Sequence, residues 1–191
     1  MKPKKGDCLL IVDMQNDFMP WGSLPVPDAD KIIPVLNSYI EIFSKKGLPV
    51  FASRDWHPPN HCSFKENGGK WPSHCVQHTE GAEFAKGLSL PKETVIISKA
   101  TTPEKEAYSA LQDTELADLL RQNHINRCFV GGVATEYCVL STVLDLLDLG
   151  YETYVLKDAI KAVNINPGDE EKALEEMRKK GALFITKESL V

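Results

Sequence analysis

Three residues whose types suit nucleophilic catalysis lie far apart in the sequence, and each follows an apolar run that is typical of a buried strand. They are Asp13, Lys99 and Cys138. A carboxylate can take the proton of a thiol, and a lysine ammonium can stabilise the charged pair that results. Alone, the three are more typical of a turn residue, a surface charge and a packed thiol. Together they indicate a cysteine nucleophile.

The sequence before Cys138 gives its thiol a reason to be reactive. Thr135 is a candidate helix N-cap, which would place Cys138 in the first helical turn. There the helix dipole and the free N–H groups stabilise a thiolate. Gly131 and Gly132 allow the backbone to bend tightly and to direct N–H groups inward, as an oxyanion site requires.

A second set of residues suits a divalent metal ion. Asp55 and His57 are two residues apart, so their side chains point the same way on an extended segment, and His74 follows 17 residues later. One carboxylate and two imidazoles with open positions suit Zn²⁺, Fe²⁺ or Mn²⁺. Two alternatives are that the histidines only hydrogen-bond within their loop, or that Cys62 and Cys75 join a structural zinc site. The cysteine spacing matches no standard zinc finger.

Short apolar runs alternate with segments of helical periodicity along most of the chain. The runs predict strands at residues 8–12, 48–53, 95–97, 128–130, 153–156 and 183–185. Helices are predicted at residues 30–46, 115–122, 136–149 and 169–180. This alternation predicts an α/β fold with three layers, α/β/α, around a six-stranded, mostly parallel sheet. Because ligands bind at the carboxyl ends of such strands, both sets of residues are expected at one edge of the sheet.

One long stretch of the sequence has little periodicity. Residues 56–91 are rich in Pro, Gly, His, Cys and Trp, and a segment of this length is typically functional or disordered. Its tryptophans and cysteines favour order. We therefore interpret residues 1–191 as a single domain with a metal-binding loop inserted at about 55–91. Trp21 and Phe64 are expected to pack this loop onto the body of the protein.

The composition is that of an ordinary globular protein. The 191 residues are 42% hydrophobic and 26% charged, and the net charge of −5 argues against binding to nucleic acids or anionic membranes. No apolar run is long enough for a membrane span. The odd number of cysteines, five, and the lack of a secretion signal favour the cytoplasm. The apolar helix faces suit either the core or a homo-oligomer.

The combined motifs resemble the nicotinamidases, or pyrazinamidases, of the isochorismatase-like cysteine hydrolases. The resemblance covers residues 9–190 and rests on Lys99 and on the motifs VDMQNDF at 12–18, DWHP at 55–58, WPSHC at 71–75 and GVATEYC at 132–138. Family members convert nicotinamide and water to nicotinate and ammonia in NAD salvage, and also pyrazinamide to pyrazinoate. The resemblance implies the isochorismatase-like, Rossmann-like fold and a small-molecule substrate.

The resemblance also implies roles for individual residues. The implied catalytic residues are Asp13, Lys99 and Cys138. The backbone N–H groups of Ala134 and Cys138 would form the oxyanion hole, beside a cis peptide bond between Val133 and Ala134. One divalent metal ion, Zn²⁺ first and Fe²⁺ or Mn²⁺ as alternatives, would be bound by Asp55, His57 and His74.

The implied substrate site has an aromatic wall. The ring would bind between Phe18 and Trp71, with Tyr108 and Ala134 also in the pocket. Family members differ in a fourth protein ligand to the metal, and the candidates here are His61, Ser63 and Glu66. Two other functions stay open, another small-amide hydrolase of this superfamily and a non-catalytic metal- or ligand-binding relative. Isochorismatases fit less well, because they lack the cysteine nucleophile and this metal motif.

Overall fold

Within residues 1–190, which the computed structural model describes, six parallel strands form the centre of the protein. They are β1 (Asp7–Val12), β2 (Val50–Asp55), β3 (Val95–Lys99), β4 (Arg127–Val133), β5 (Glu152–Lys161) and β6 (Leu183–Ile185). Their order is β3-β2-β1-β4-β5-β6, and all neighbours pair in parallel. The predicted sheet is confirmed. Because the chain order reverses between β1 and β4, the carboxyl ends of these strands flank the crevice where such sheets bind ligands.

Helices cover both faces of the sheet. In the described part of the chain they are α1 (Ile33–Lys45), α2 (Leu116–Gln122), α3 (Leu140–Asp148) and α4 (Asp169–Lys180). Leu9 and Ile11 of β1 pack in the core that contains α1, whereas Leu10 and Val12 pack in the core that contains the other three helices. The continuous apolar run of β1 therefore serves two faces, and the three-layer α/β/α arrangement is confirmed. None of the helices in residues 1–190 is long and apolar enough to span a membrane.

Four strands extend past their predicted ends. β2 and β3 continue to Asp55 and Lys99, which are their last residues, and β5 continues to Lys161. β4 continues through Gly131 and Gly132 instead of turning there. Gly132 has a φ of +130°, and a Cβ at this position would lie 2.1 Å from the carbonyl oxygen of Val12. The glycine at position 132 thus allows β4 to lie close to β1. It does not form the tight turn that the sequence predicts.

The turn that carries Cys138 also differs from the prediction. Residues Thr135–Val139 form a π-helical turn before α3 begins, and Ala134, with φ −92° and ψ 147°, is the residue at the N-cap position. The prediction of Thr135 as the N-cap is wrong. Its hydroxyl lies 3.4 Å from Oε1 of Glu170 instead. Cys138 therefore lies in a wide turn at the start of the helical segment.

The segment between β2 and β3, residues 56–94, is ordered by hydrogen bonds and short turns. A parallel bridge joins His57 to Val76 within it. Phe64 is buried, as predicted. Trp21 is 61% exposed, so the prediction that it packs the loop onto the body is wrong.

Candidate active site

The ammonium group of Lys99 lies at the centre of the functional side chains. Its Nζ is 2.9 Å from Asp13 Oδ2 and 3.5 Å from Cys138 Sγ, and it forms an ion pair with Asp55. It also donates a hydrogen bond of 3.0 Å to the carbonyl oxygen of Ala107. Asp13 follows β1, Asp55 ends β2 and Lys99 ends β3. The sheet thus brings these residues together at one edge, as predicted from their positions.

Asp13 is oriented toward both the lysine and the thiol. Its Oδ1 accepts a hydrogen bond of 2.7 Å from the hydroxyl of Ser53, which leaves Oδ2 for Lys99. A carboxylate oxygen of Asp13 and the Sγ of Cys138 lie within 4.8 Å of each other. Asp13 is therefore near enough to the thiol to be the candidate base.

Burial has the largest effect on the pKa values of Asp13 and Cys138. It raises the pKa of Asp13, and the attraction of Lys99 only partly opposes the rise. Burial also raises the pKa of the Cys138 thiol well above its ordinary value, while Lys99 lowers it and the carboxylates of Asp13 and Asp55 raise it further. This direction is opposite to the one that the helix start alone would give. The thiol holds its proton until a base removes it, and Asp13 is the adjacent base.

The backbone at the end of β4 is shaped around the nucleophile. The peptide bond between Val133 and Ala134 is cis, as the resemblance predicts. The carbonyl oxygen of Ala134 accepts hydrogen bonds from the N–H groups of Tyr137 at 3.0 Å and Val139 at 3.2 Å. These bonds fix the turn that carries Cys138. The oxyanion role of the Ala134 and Cys138 N–H groups stays a prediction.

Asp55, His57 and His74 form a compact group beside the lysine. Their ligand atoms lie within 4.8 Å of one another, and all three residues are buried. The Nε2 atoms of His57 and His74 are 3.9 and 4.0 Å from the two carboxylate oxygens of Asp55. Within residues 1–190 no such group includes Cys62 or Cys75, so nothing here favours the alternative of a cysteine-containing zinc site.

The hydrogen bonds of the two imidazoles leave one nitrogen of each ring available to a metal. Nδ1 of His57 lies 3.0 Å from the carbonyl oxygen of His74, and Nδ1 of His74 lies 2.7 Å from that of Pro72. Because a carbonyl only accepts, each Nδ1 carries the hydrogen and each Nε2 keeps its lone pair. Nε2 of His57 is buried with no hydrogen-bond partner among the described residues, which is costly unless a ligand binds it.

The charge state of His57 also suits a metal. Burial lowers its pKa to about 4, so the ring is neutral at neutral pH. A metal-binding imidazole must be neutral, and the ring does not have to lose a proton first. The residues present thus fit a divalent metal ion.

Of the three candidates for a fourth metal ligand, His61 and Ser63 are engaged in other hydrogen bonds and Glu66, within residues 1–190, makes none that would direct it to the metal group. Nδ1 of His61 accepts a hydrogen bond of 2.7 Å from the Ser63 hydroxyl, and its Nε2 donates one of 2.9 Å to the carbonyl oxygen of Lys105. Glu66 is exposed. His61 instead lies against His57, with ring centres 4.2 Å apart. It supports a ligand rather than offering a free nitrogen of its own.

A cavity opens beside Cys138 and the metal group. Phe18, Trp71, Tyr108 and Ala134 all line it, so the residues predicted to contact the substrate meet there. The Trp71 indole N–H donates a hydrogen bond of 3.1 Å to the Tyr108 hydroxyl. A mainly apolar cavity with several aromatic side chains and a few polar groups suits a flat ring with one polar substituent.

Several residues of the site have no recognisable signal in the sequence. The cavity is also lined by Leu24, Val26, Tyr137 and Val163. Leu24 and Val26 share one segment, but Tyr137 and Val163 lie on two others, so no spacing connects the four. Tyr137 alone could have been found, because it lies inside the motif at residues 132–138.

Gln15 is a further unpredicted residue, and it fixes the backbone of Asp55. Its Oε1 accepts a hydrogen bond of 2.8 Å from the Asp55 N–H. Its Nε2 donates hydrogen bonds of 2.8 and 2.9 Å to the carbonyl oxygens of Asp55 and Ala82. The side chain is fully buried, so these bonds replace all of its contacts with water. Its place in the motif at residues 12–18 was the available signal.

Comparison with known proteins decides the family. A sequence model described as "Isochorismatase domain" matches residues 7–189. The nicotinamidase of Escherichia coli (strain K12) is 40% identical over an alignment that covers 93% of this chain and 93% of that one. This chain belongs to the nicotinamidase family of isochorismatase-domain proteins. The resemblance stated from the motifs is thereby confirmed.

Solved structures of the nicotinamidase family agree with this assignment. The pyrazinamidase of Pyrococcus horikoshii, in complex with zinc, is 55% identical with a TM-score of 0.91, over 95% of this chain and 99% of that one. PnC1 from L. infantum, in complex with nicotinate, is 33% identical with a TM-score of 0.92, over 100% of this chain and 97% of that one. The similarity to the nicotinamidase family therefore extends along the whole fold, including the segment between β2 and β3.

Proposed function

We propose that this protein is a metal-dependent cysteine amidohydrolase that converts nicotinamide and water to nicotinate and ammonia, and pyrazinamide to pyrazinoate. One observation carries the proposal. The Lys99 ammonium joins a buried acid and thiol, Asp13 and Cys138, to the carboxylate of Asp55 in a metal-binding group at the base of an aromatic cavity. The activities named for the relatives that match along the whole chain support the choice of substrate.

The first half of the reaction acylates the cysteine. Asp13 takes the proton of the Cys138 thiol, and Lys99 stabilises the charges that result. The sulfur attacks the carboxamide carbon, and the N–H groups of Ala134 and Cys138 stabilise the negative oxygen. Asp13 then gives its proton to the leaving nitrogen. Ammonia departs and a thioester remains on Cys138.

The second half regenerates the enzyme. Asp13, again a carboxylate, takes a proton from water, which attacks the thioester carbon. The carboxylic acid is released, and the thiol recovers its proton from Asp13. The raised pKa of Asp13 suits both steps, because a stronger base is needed first for the thiol and then for water.

Substrate position is set by the aromatic wall and the metal. We propose that Phe18 and Trp71 hold the ring between them, with Tyr108 behind Trp71. Asp55, His57 and His74 would hold the ion, which we propose is Zn²⁺. When bound, the ion supplies a Lewis-acid position for the ring nitrogen, which orients the substrate more than it activates the amide.

We propose a cytoplasmic location and leave the oligomeric state to measurement. All five cysteines are free thiols in the structure. The Sγ atoms of Cys8 and Cys128 lie 3.7 Å apart without a bond, which suits a reducing compartment.

The test is ammonia release from nicotinamide by the purified protein, before and after chelation. Release that falls on chelation and returns with added Zn²⁺ is the expected result. Release that ignores a chelator, in protein shown by elemental analysis to be metal-free, would contradict the metal's role and leave a metal-free cysteine hydrolase. No release with Zn²⁺, Fe²⁺ or Mn²⁺ would overturn the substrate assignment, and a panel of small amides would identify the alternative.

A further inference from the structure

We propose that Asp17 is a positioning residue that sets both the metal ligand His74 and the wall of the substrate cavity. The inference rests on the proposed function, because it concerns the same metal and the same cavity. Asp17 touches neither of them. It acts through backbone groups next to residues that do.

The carboxylate of Asp17 holds the residue that follows His74. Its Oδ2 accepts a hydrogen bond of 2.7 Å from the N–H of Cys75. Cys75 is fully buried and has a φ of +48°, so the chain turns sharply there. A charged acceptor on this N–H fixes the turn, and the turn fixes where the imidazole of His74 points.

The same residue holds the segment that closes the cavity. Its Oδ1 accepts a hydrogen bond of 3.3 Å from the N–H of Ser23, and its backbone carbonyl accepts one of 3.0 Å from the N–H of Leu24. Leu24 lines the cavity, and so does Phe18, which directly follows Asp17. The side chain and backbone of Asp17 therefore help to position three residues that line the cavity, namely Phe18, Leu24 and His74.

The surrounding chain leaves room for the carboxylate in this position. A Cβ at Gly81 would lie 2.2 Å from Asp17 Oδ2, and a Cβ at Gly22 would lie 2.2 Å from the Asp17 carbonyl oxygen. Both loops can approach Asp17 because glycine has no side chain there. The half-buried carboxylate thus lies between the loop that carries the metal ligand and the loop that carries the cavity wall.

The catalytic group does not depend on Asp17. Asp13, Lys99 and Cys138 are held by β1, β3 and the turn after β4, and none of their polar contacts involves Asp17. Loss of Asp17 should therefore weaken metal and substrate binding more than it slows the chemical steps. This division separates a positioning role from a general loss of structure.

The experiment compares Asp17→Ala, Asp17→Asn and the control Glu80→Ala. Glu80 is an exposed acid near the same loops, and among residues 1–190 its side chain pairs only with Lys86. The affinity for Zn²⁺ is measured by competition with a chromogenic chelator, together with kcat and KM for nicotinamide at saturating Zn²⁺. The melting temperature of the metal-free protein is recorded for each variant.

Asp17→Ala should bind Zn²⁺ about 10- to 100-fold more weakly, the usual effect of losing a partner that orients a ligand. KM should rise several-fold while kcat stays within about twofold, because the catalytic group is untouched. Asp17→Asn keeps one acceptor oxygen and loses the other, so its Zn²⁺ affinity should fall about 2- to 12-fold, the range for one hydrogen bond. Glu80→Ala should match the unmodified protein.

Unchanged Zn²⁺ affinity in Asp17→Ala would overturn the inference, as would an equal fall in Glu80→Ala. A lower metal-free melting temperature with unchanged Zn²⁺ affinity would assign Asp17 a structural role only, which also overturns it. If Asp17→Ala does not fold, Asp17→Asn decides by the same criterion. Failure of the unmodified protein to bind Zn²⁺ or to release ammonia would instead count against the proposed function.

Discussion

Lys99 and Asp55 are register partners on the neighbouring strands β3 and β2, and their buried side chains form an ion pair. The same ammonium lies 2.9 Å from Asp13. One cation therefore balances two buried carboxylates, one in the proposed catalytic group and one in the proposed metal group. Removing it should affect stability and metal binding as well as turnover.

Lys99→Met should lower the free energy of unfolding of the metal-free protein by about 3–5 kcal/mol, because two buried carboxylates lose their counter-charge. Added Zn²⁺ should recover part of this loss, since it brings positive charge back to Asp55. Urea unfolding with and without Zn²⁺ measures both effects. Lys105→Met, which removes an exposed lysine paired with Asp113, is the control and should change little. If Lys99→Met lowers the free energy of unfolding as little as Lys105→Met does, Lys99 is not needed to balance the two carboxylates.

Cys138→Ser should reduce ammonia release at least a thousandfold, roughly the scale seen when a nucleophile is removed. The fold should persist, because the change is small and the turn is held by the Ala134 carbonyl. Circular dichroism and nicotinamide titration check the fold and the binding. Cys62→Ala removes a partly exposed thiol outside the site and should retain activity. Near-normal turnover by Cys138→Ser would rule out the nucleophile assignment.

His57→Ala should weaken Zn²⁺ binding at least a hundredfold, about the upper range for disturbing the partners of a metal ligand. The buried Nε2 that lacks a partner is the atom removed. Elemental analysis after gel filtration gives the metal content. His78→Asn is the matched control, because His78 is exposed and has a φ of +63°, which asparagine tolerates. Full metal content in His57→Ala would remove His57 from the ligand set.

Tyr108→Phe should raise KM for nicotinamide about 2- to 12-fold with little change in kcat, because it removes only the acceptor of one hydrogen bond. That bond comes from the Trp71 indole and holds one wall of the cavity. Steady-state kinetics at saturating Zn²⁺ separate the two parameters. Tyr151→Phe lies outside the cavity and should behave like the unmodified protein. A fall in kcat with unchanged KM would mean that Tyr108 takes part in the chemistry.

The sheet could be predicted because its strands are buried on both faces and therefore appear as continuous apolar runs. The position of Asp13, Asp55 and Lys99 at the carboxyl ends of three strands then follows from the parallel arrangement. The ends of the strands are harder to predict from apolar runs, because Asp55 and Lys99 are polar yet are the last residues of their strands. The interpretation of residues 1–191 as a single domain stays a prediction.

What the sequence could not reveal depends on contacts between distant segments. Gln15 bonds the backbone of Asp55, 40 residues away, and an isolated glutamine has no periodicity that marks this. The pKa of Cys138 depends on its complete burial and on two carboxylates, whereas local sequence displays only the helix start. Trp21 is exposed because its loop is held by backbone bonds to Asp17 and not by its own ring.

Two of the three proposed metal ligands, His57 and His74, belong to the loop at residues 56–94. The proposed catalytic residues lie elsewhere, directly after β1, at the end of β3 and in the turn after β4. Substitutions can therefore accumulate in the metal-binding loop and in the catalytic residues separately. Substitutions confined to this loop would change which metal ion or which substrate ring the protein prefers. The proposed catalytic residues would stay unchanged. Asp55, at the junction of β2 and the loop, is the one proposed ligand that evolution cannot exchange without disturbing both.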